Sequence, residues 1–93
     1  MHHVYNYTNQ RTGQQYIGCT CEPPKREYVH TYRATRDFTR NEPLYQNMRK
    51  HGVENFKMTI IKSFTLREDA LAYERKMIQK LQPELNVHHR YKG

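Results

Sequence analysis

The stretch Val4-Tyr5-Asn6-Tyr7-Thr8-Asn9-Gln10-Arg11-Thr12-Gly13-Gln14-Gln15-Tyr16-Ile17-Gly18-Cys19 decides how this chain folds. It opens on β-formers, 9–13 carry turn chemistry, and a second extended run follows from Gln14 to Cys19. Gly13 supplies the positive φ of a tight connection, so the stretch reads as a β-hairpin. Side chains alternate between the faces of a strand. Tyr5 and Tyr7 therefore share one face, and Tyr16 can join them, opposite or diagonal to Tyr5.

Downstream, Pro23-Pro24 stops the extended chain and opens a helix that runs through about Ala34, with Thr20 or Cys21 as cap. A polar, irregular loop over 35–42 carries Arg36, Arg40 and Asn41. A short helix begins around Pro43, turns Leu44 and Met48 inward, and stops at Gly52. In 55–64, Phe56, Met58 and Ile60 alternate with Lys57 and Thr59, which predicts a third strand with the apolar set inward. Thr65-Leu66-Arg67-Glu68 has the form of a capping box for a last helix that ends before Pro83. The expected fold is α/β (α+β): a small three-stranded antiparallel sheet flanked by three helices, in the order β-β-α-α-β-α.

Ninety-three residues bound this to one domain, expected to span 1–93. No run approaches the ~20 apolar residues of a membrane span, and Met1-His2-His3 does not open a signal peptide, so an intracellular protein is expected. Cys19 and Cys21 alone do not make a disulfide framework. With His2, His3, His88 or His89 they also lack the usual zinc spacing. Lys and Arg outnumber Asp and Glu by 16 to 9, giving a formal charge of +7, and 8 tyrosines stand against 3 phenylalanines and no tryptophan. A compact basic domain rich in tyrosine suits a polyanionic partner, most often nucleic acid.

The last helix holds an anomaly. Advancing about 100° per residue from Leu71, the apolar Met77, Ala70, Leu81 and Ile78 fall between about 240° and about 340°, and Glu74 lands at about 300° among them. A carboxylate there must be paired, protonated or used as a metal ligand, unless the stripe tilts and leaves it at the rim. On the first helix Arg26, His30 and Arg33 are spaced four and three apart and stack along one face beside Val29. A basic stripe next to half-buried apolar residues can grip phosphate, although charge runs are commonly just solvated faces.

With these residues in view, the chain resembles the GIY-YIG nuclease superfamily. Tyr16-Ile17-Gly18 matches the second motif, and His3-Val4-Tyr5 occupies the place of the first, with His3 where the family has glycine. Arg26 and His30 fit the family's Arg-x-x-x-His helix, and 68–81 resembles the helix bearing its metal-binding glutamate, at Glu74. Pro83-Glu84-Leu85-Asn86 is similar to the closing motif. The segment Lys50-His51-Gly52-Val53-Glu54-Asn55-Phe56 leans toward phage and homing endonuclease members.

The resemblance implies a metal-dependent endonuclease acting on DNA, double-stranded by expectation, with weak sequence preference and no separate DNA-reading domain. It would be found in the cytoplasm or nucleoid of a bacterium or a phage-infected cell. Glu74 would hold one Mg²⁺ or Mn²⁺, with no small-molecule cofactor, and Arg26 would neutralise the scissile phosphate. Tyr5 or Tyr16 would contact the attacking water, with Tyr5 favoured as general base, His30 as its proton acceptor and Asn86 orienting the site. Forming tyrosinate at pH 7 costs roughly 4 kcal/mol from an ordinary pKa near 10, a cost that Arg26, a protonatable His30 and the metal would lower.

Arg26, Arg33, Arg36, Arg40 and Lys50 are the expected nucleic-acid contacts. Arg75, Lys76, Lys80, Arg90 and Lys92 add a diffuse basic surface. The expected state is a monomer, with pairing on the substrate left open. The rival reading is a catalytically silent nucleic-acid-binding module on the same fold.

Overall fold

A computed structural model of the chain describes residues 1–86. His88, His89, Arg90 and Lys92 lie outside them. The elements are β1 (His2–Asn9), β2 (Gln15–Thr20), α1 (Pro23–Thr35), α2 (Pro43–His51), β3 (Phe56–Phe64) and α3 (Arg67–Leu81), with a 3₁₀ turn at Val53–Asn55. β1 is the central strand of an antiparallel sheet ordered β2-β1-β3. The expected three-stranded α+β architecture and its element order are therefore what the chain forms.

The hairpin turns at Gly13, whose φ is +80°. Asn9, fully buried at its base, accepts a hydrogen bond from the Arg11 amide at 2.9 Å and donates to Asn47 Oδ1 of α2 at 2.7 Å. Pairing Tyr7 with Tyr16 puts Tyr5 diagonal to Tyr16, their ring centroids 6.2 Å apart.

Alternation along β1 builds two cores. Tyr5 and Tyr7 pack with Ala34, Leu44, Tyr45, Met48, Phe56 and Leu85 on the side of α1 and α2. Val4 and Ile17 pack with Ala70 and Ile78 of α3 on the other. Leu44 and Met48 are buried as expected, each gaining about 2 kcal/mol over an exposed position. Arg49 ties the helices together, donating to the carbonyls of Ala34 at 2.7 Å and of Arg33 and Asp37 at 3.0 Å.

Four local expectations need correction. Ile60 is 40% exposed instead of inward. Tyr5 pairs with Ile60 but Val4 pairs with Lys62, so Ile61 is an extra residue in a bulge, and Ile61 packs on the α3 side. Ile60 itself precedes the bulge and keeps the face of Tyr5, but β3 is an edge strand of the sheet and leaves the end of this face uncovered. The capping box does not form either: Leu66 holds the cap position with no side-chain cap bond. The chain leaves β3 at Phe64 and uses two residues to turn, which sets Thr65 one position too early.

At α1 the cap is Glu22, whose amide donates to Thr20 Oγ1 at 3.1 Å, so Thr20 braces the entry without capping it. Leu81, at the end of α3, is 43% exposed because the helix runs past the edge of the sheet core. His3, in place of a glycine, breaks no pairing. It faces Thr20 on one side and Ser63 on the other, with Nδ1 2.6 Å from Ser63 Oγ.

Candidate active site

The site is built on the tyrosine face of the hairpin and on α1, which crosses it. His30 is 1% exposed, and four tyrosine rings surround it: Tyr7 and Tyr16 with centroids at 5.6 Å, Tyr45 at 5.7 Å and Tyr5 at 6.0 Å. Its two ring nitrogens are both engaged. Nε2 lies 2.7 Å from Tyr5 Oη and Nδ1 2.9 Å from Tyr45 Oη. Arg33 Nη1 donates to the Tyr45 oxygen at 3.2 Å, so a chain of polar groups runs Tyr5–His30–Tyr45–Arg33.

Burial, then the charges of Arg26, Arg33 and Arg40, push the His30 pKa down to about 4, against a weaker opposite pull from Glu42. At neutral pH this histidine is uncharged. It acts as hydrogen-bond donor at one nitrogen and acceptor at the other. A neutral His30 brings no positive charge to ease tyrosinate formation, and of the two parts expected of it only that of proton acceptor is open to it. Tyr5 is itself fully buried, and desolvation with the neighbouring Tyr16 pushes its hydroxyl well above the usual tyrosine range, while Arg26 opposes them. The hydroxyl fits only because Gly18 lies opposite on β2: a Cβ there would stand 2.5 Å from Tyr5 Cζ.

Tyr16 is half-buried and lines a cavity of about 190 Å³ with Arg26, His30, Arg33, Tyr45 and Asn86. Through Arg26 and Arg33 this opens into a larger groove of about 540 Å³, where Lys25 and Arg67 add two cations and Glu22 one carboxylate. Glu74 projects from α3 half-buried. Burial pushes its carboxyl up, against the pull of Arg26 and then Arg75. Among the described residues this carboxylate accepts no hydrogen bond and joins no ion pair. No three His, Cys, Asp or Glu side chains among them converge on a point. A lone, partly desolvated carboxylate with open lone pairs fits one hard divalent cation that keeps most of its water, and does not fit a thiolate or imidazole cage.

Asn86 has a different surrounding. Its Oδ1 accepts from the Ile17 amide at 2.9 Å and its Nδ2 donates to the Ile17 carbonyl at 3.0 Å. With Leu85 N on Gln15 O at 2.9 Å, the closing segment covers the free edge of β2. Asn86 thus holds the strand that carries Tyr16 and Gly18.

Of the expected nucleic-acid contacts, Arg26, Arg33 and Arg40 line the cavity. Arg40 is ion-paired with Glu42 there, which offsets its charge. Arg36 and Lys50 are exposed and stand apart from it, because the end of α1 and the outer face of α2 carry them away. Sequence reasoning missed Tyr45, Lys25 and Arg67. Tyr45 had only its place beside inward-facing Leu44 as a signal. Lys25 and Arg67 carried a clearer one: each is a cation in the first turn of a helix, where the macrodipole favours acids.

Fold and cleft together define a small basic α+β domain whose centre joins tyrosine, neutral histidine and arginine, with Glu74 of α3 lining neither cavity but near enough to feel the charge of Arg26. The GIY-YIG catalytic domain family matches residues 1–88, and the chain belongs to that family. Its fold is similar to that in "Structure of the Catalytic Domain of Homing Endonuclease I-TevI", with a TM-score of 0.73 at 18% identity, covering 88% of this chain and 89% of that one. No curated protein sequence matches the chain.

Proposed function

We propose that this domain is a divalent-metal-dependent endonuclease that hydrolyses DNA phosphodiester bonds. The 2.7 Å contact between Tyr5 Oη and His30 Nε2 carries the reading, with Arg26 and Glu74 near enough to act electrostatically on the Tyr5 hydroxyl. Arg26 binds the scissile phosphate and neutralises its non-bridging oxygens. Tyr5 takes a proton from the attacking water as its own passes to His30 Nε2. No free tyrosinate is then needed, which matters for a hydroxyl whose pKa burial has raised.

The transfer requires Nε2 unprotonated and Nδ1–H donated to Tyr45, the tautomer that a Tyr45 oxygen can stabilise. Water's oxygen bonds to phosphorus and the bond to the 3′-oxygen breaks. The departing oxygen takes its proton from solvent, leaving 5′-phosphate and 3′-hydroxyl ends. Tyr16 forms the wall against which the water is held, and Asn86 fixes the strand behind it. Glu74 would hold one Mg²⁺ or Mn²⁺, which supplies Lewis-acid stabilisation of the charge building on the phosphate. The domain works as a monomer on duplex DNA, gripped through Arg26, Arg33, Lys25 and Arg67.

Plasmid nicking in Mg²⁺ tests this reading. Wild type should nick, and Glu74→Gln, Arg26→Ala and Tyr5→Phe should each lose at least about 100-fold in rate, as expected of groups at the reacting centre. The alternative, a silent nucleic-acid-binding module, is favoured by the complete burial of Tyr5. DNA binding without cleavage between about pH 6 and about pH 9, a span in which His30 is neutral and able to accept a proton, would establish that alternative.

A further inference from the structure

The outer face of α1 exposes two aromatic rings that neither core uses. Tyr28 is 67% exposed and Tyr32 50%, one helical turn apart, with ring centroids 6.4 Å apart and planes tilted by 32°. They line a shallow depression of about 330 Å³ whose other walls include Arg33, Arg40 and Asp37. Asp37 is engaged by Thr39, which donates to Oδ1 through its amide at 3.2 Å and its hydroxyl at 2.5 Å. Phe38, also exposed, is turned to Arg49, whose guanidinium lies 5.2 Å from the ring centroid. Tyr28 and Tyr32 remain as the open rings of this face.

Arg33 and Arg40 line this depression and also the cavity that holds Tyr16, Arg26 and His30. The two are therefore continuous. A strand whose phosphate is held by Arg26 meets Arg33 seven residues along α1, about 10.5 Å away by helical rise, which is the rise of about three nucleotides of one strand at 3.4 Å each. From there its bases can reach the tyrosine rings. Aromatic rings beside cations are the means by which proteins hold single strands, since every base has a face to stack. Bases inside a duplex are already stacked and paired and do not offer that face.

We propose that Tyr28 and Tyr32 form a stacking platform for unpaired nucleotides of a DNA strand leading into the active site. This rests on the nuclease reading above and deepens it. The domain then prefers duplexes that carry a single-stranded arm, gap or displaced segment over continuous duplex. An apolar protein partner suits this face less well, because docking would desolvate Arg33 and Asp37 together.

Fluorescence anisotropy without divalent metal tests the platform on three probes: a blunt duplex, the same duplex with a single-stranded arm, and that duplex with abasic positions in the arm. Wild type should bind the armed duplex more tightly than the blunt one, by between about fivefold and about 150-fold per stacked base. The abasic arm, which keeps its phosphates, should lose that advantage. Tyr28→Ala/Tyr32→Ala should lose it too, and Tyr28→Phe/Tyr32→Phe should keep it.

Equal affinity for blunt and armed probes, or an abasic arm that binds as well as the intact one, overturns the proposal. The abasic arm decides even if the alanine variant does not fold. An arm preference that disappears with the bases, in a protein that nicks nothing in Mg²⁺, supports the platform while removing the nuclease reading.

Discussion

Tyr5 on β1 and Gly18 on β2 face each other across the hairpin, and the tip of the Tyr5 ring occupies the volume a side chain at Gly18 would need. The glycine of Tyr16-Ile17-Gly18 thus touches the chemistry indirectly, by giving the Tyr5 hydroxyl room to reach His30. Gly18→Ala should force the pinned ring aside. The expected cost is about 1–3 kcal/mol of stability, together with a fall in nicking rate. Thermal melts and plasmid nicking check it. An alanine variant equal to wild type in both would show that the ring moves freely.

Tyr45 should act as a positioning residue. In Tyr45→Phe, His30 Nδ1 loses its partner, so the tautomer with Nε2 free to accept is no longer favoured. The expected result is a kcat lower by about 10- to 100-fold with KM little changed, within the range of general-base effects. If KM rose and kcat held, Tyr45 would be a substrate contact.

Stability should fall in acid through His30. Its folded pKa of about 4 lies below its ordinary 6.5, so between those values the unfolded chain takes up a proton that the folded one refuses. The contribution is complete above pH 6.5 and is lost as pH falls toward 4, about 3 kcal/mol in all. Glu74 acts in the opposite sense, since its raised carboxyl pKa makes the folded state the better proton acceptor there. Melting temperatures across this window should slope upward with pH, and His30→Gln should flatten the slope.

Removing the Glu74 charge should uncouple stability from metal. Without divalent ions, Glu74→Gln should melt at or above the wild-type temperature, because a half-buried charge with no ion-pair partner among the described residues is gone. Saturating Mg²⁺ should stabilise wild type, by about 2.7 kcal/mol at a hundredfold excess over Kd, and leave the variant unmoved. A variant still stabilised by Mg²⁺ would place the ion elsewhere.

Arg67 should report the path of the DNA. If it holds one phosphate in the larger groove, Arg67→Ala should shallow the slope of log affinity against log salt by about 0.9 and weaken all sequences alike. An unchanged slope would remove Arg67 from the interface.

The hairpin, the helices and the element order were legible in the chain because periodicity, prolines and glycines act locally. The failures were local signals overruled by geometry further away. Ile60 lies across from buried Tyr5 but on the edge strand β3, which leaves it exposed, and the two-residue turn after Phe64 moved the cap from Thr65 to Leu66. Glu74 was visible as a carboxylate in an apolar stripe, but that it pairs with no cation among the described residues depends on where Arg26 and Arg75 come to lie.

The sequence by itself determined the strand–strand–helix framework, the basic charge and the set of residue types at motif spacing, all properties of one segment at a time. Only the tertiary structure decided that His30 is neutral, that it links Tyr5 to Tyr45, and that Asn86 secures β2. A protonation state follows from desolvation and from charges brought in by α1 and the loop after it. A hydrogen-bond partner follows from which strands and helices meet. Both are set by contacts between segments distant in the chain, which a pattern read along it does not contain.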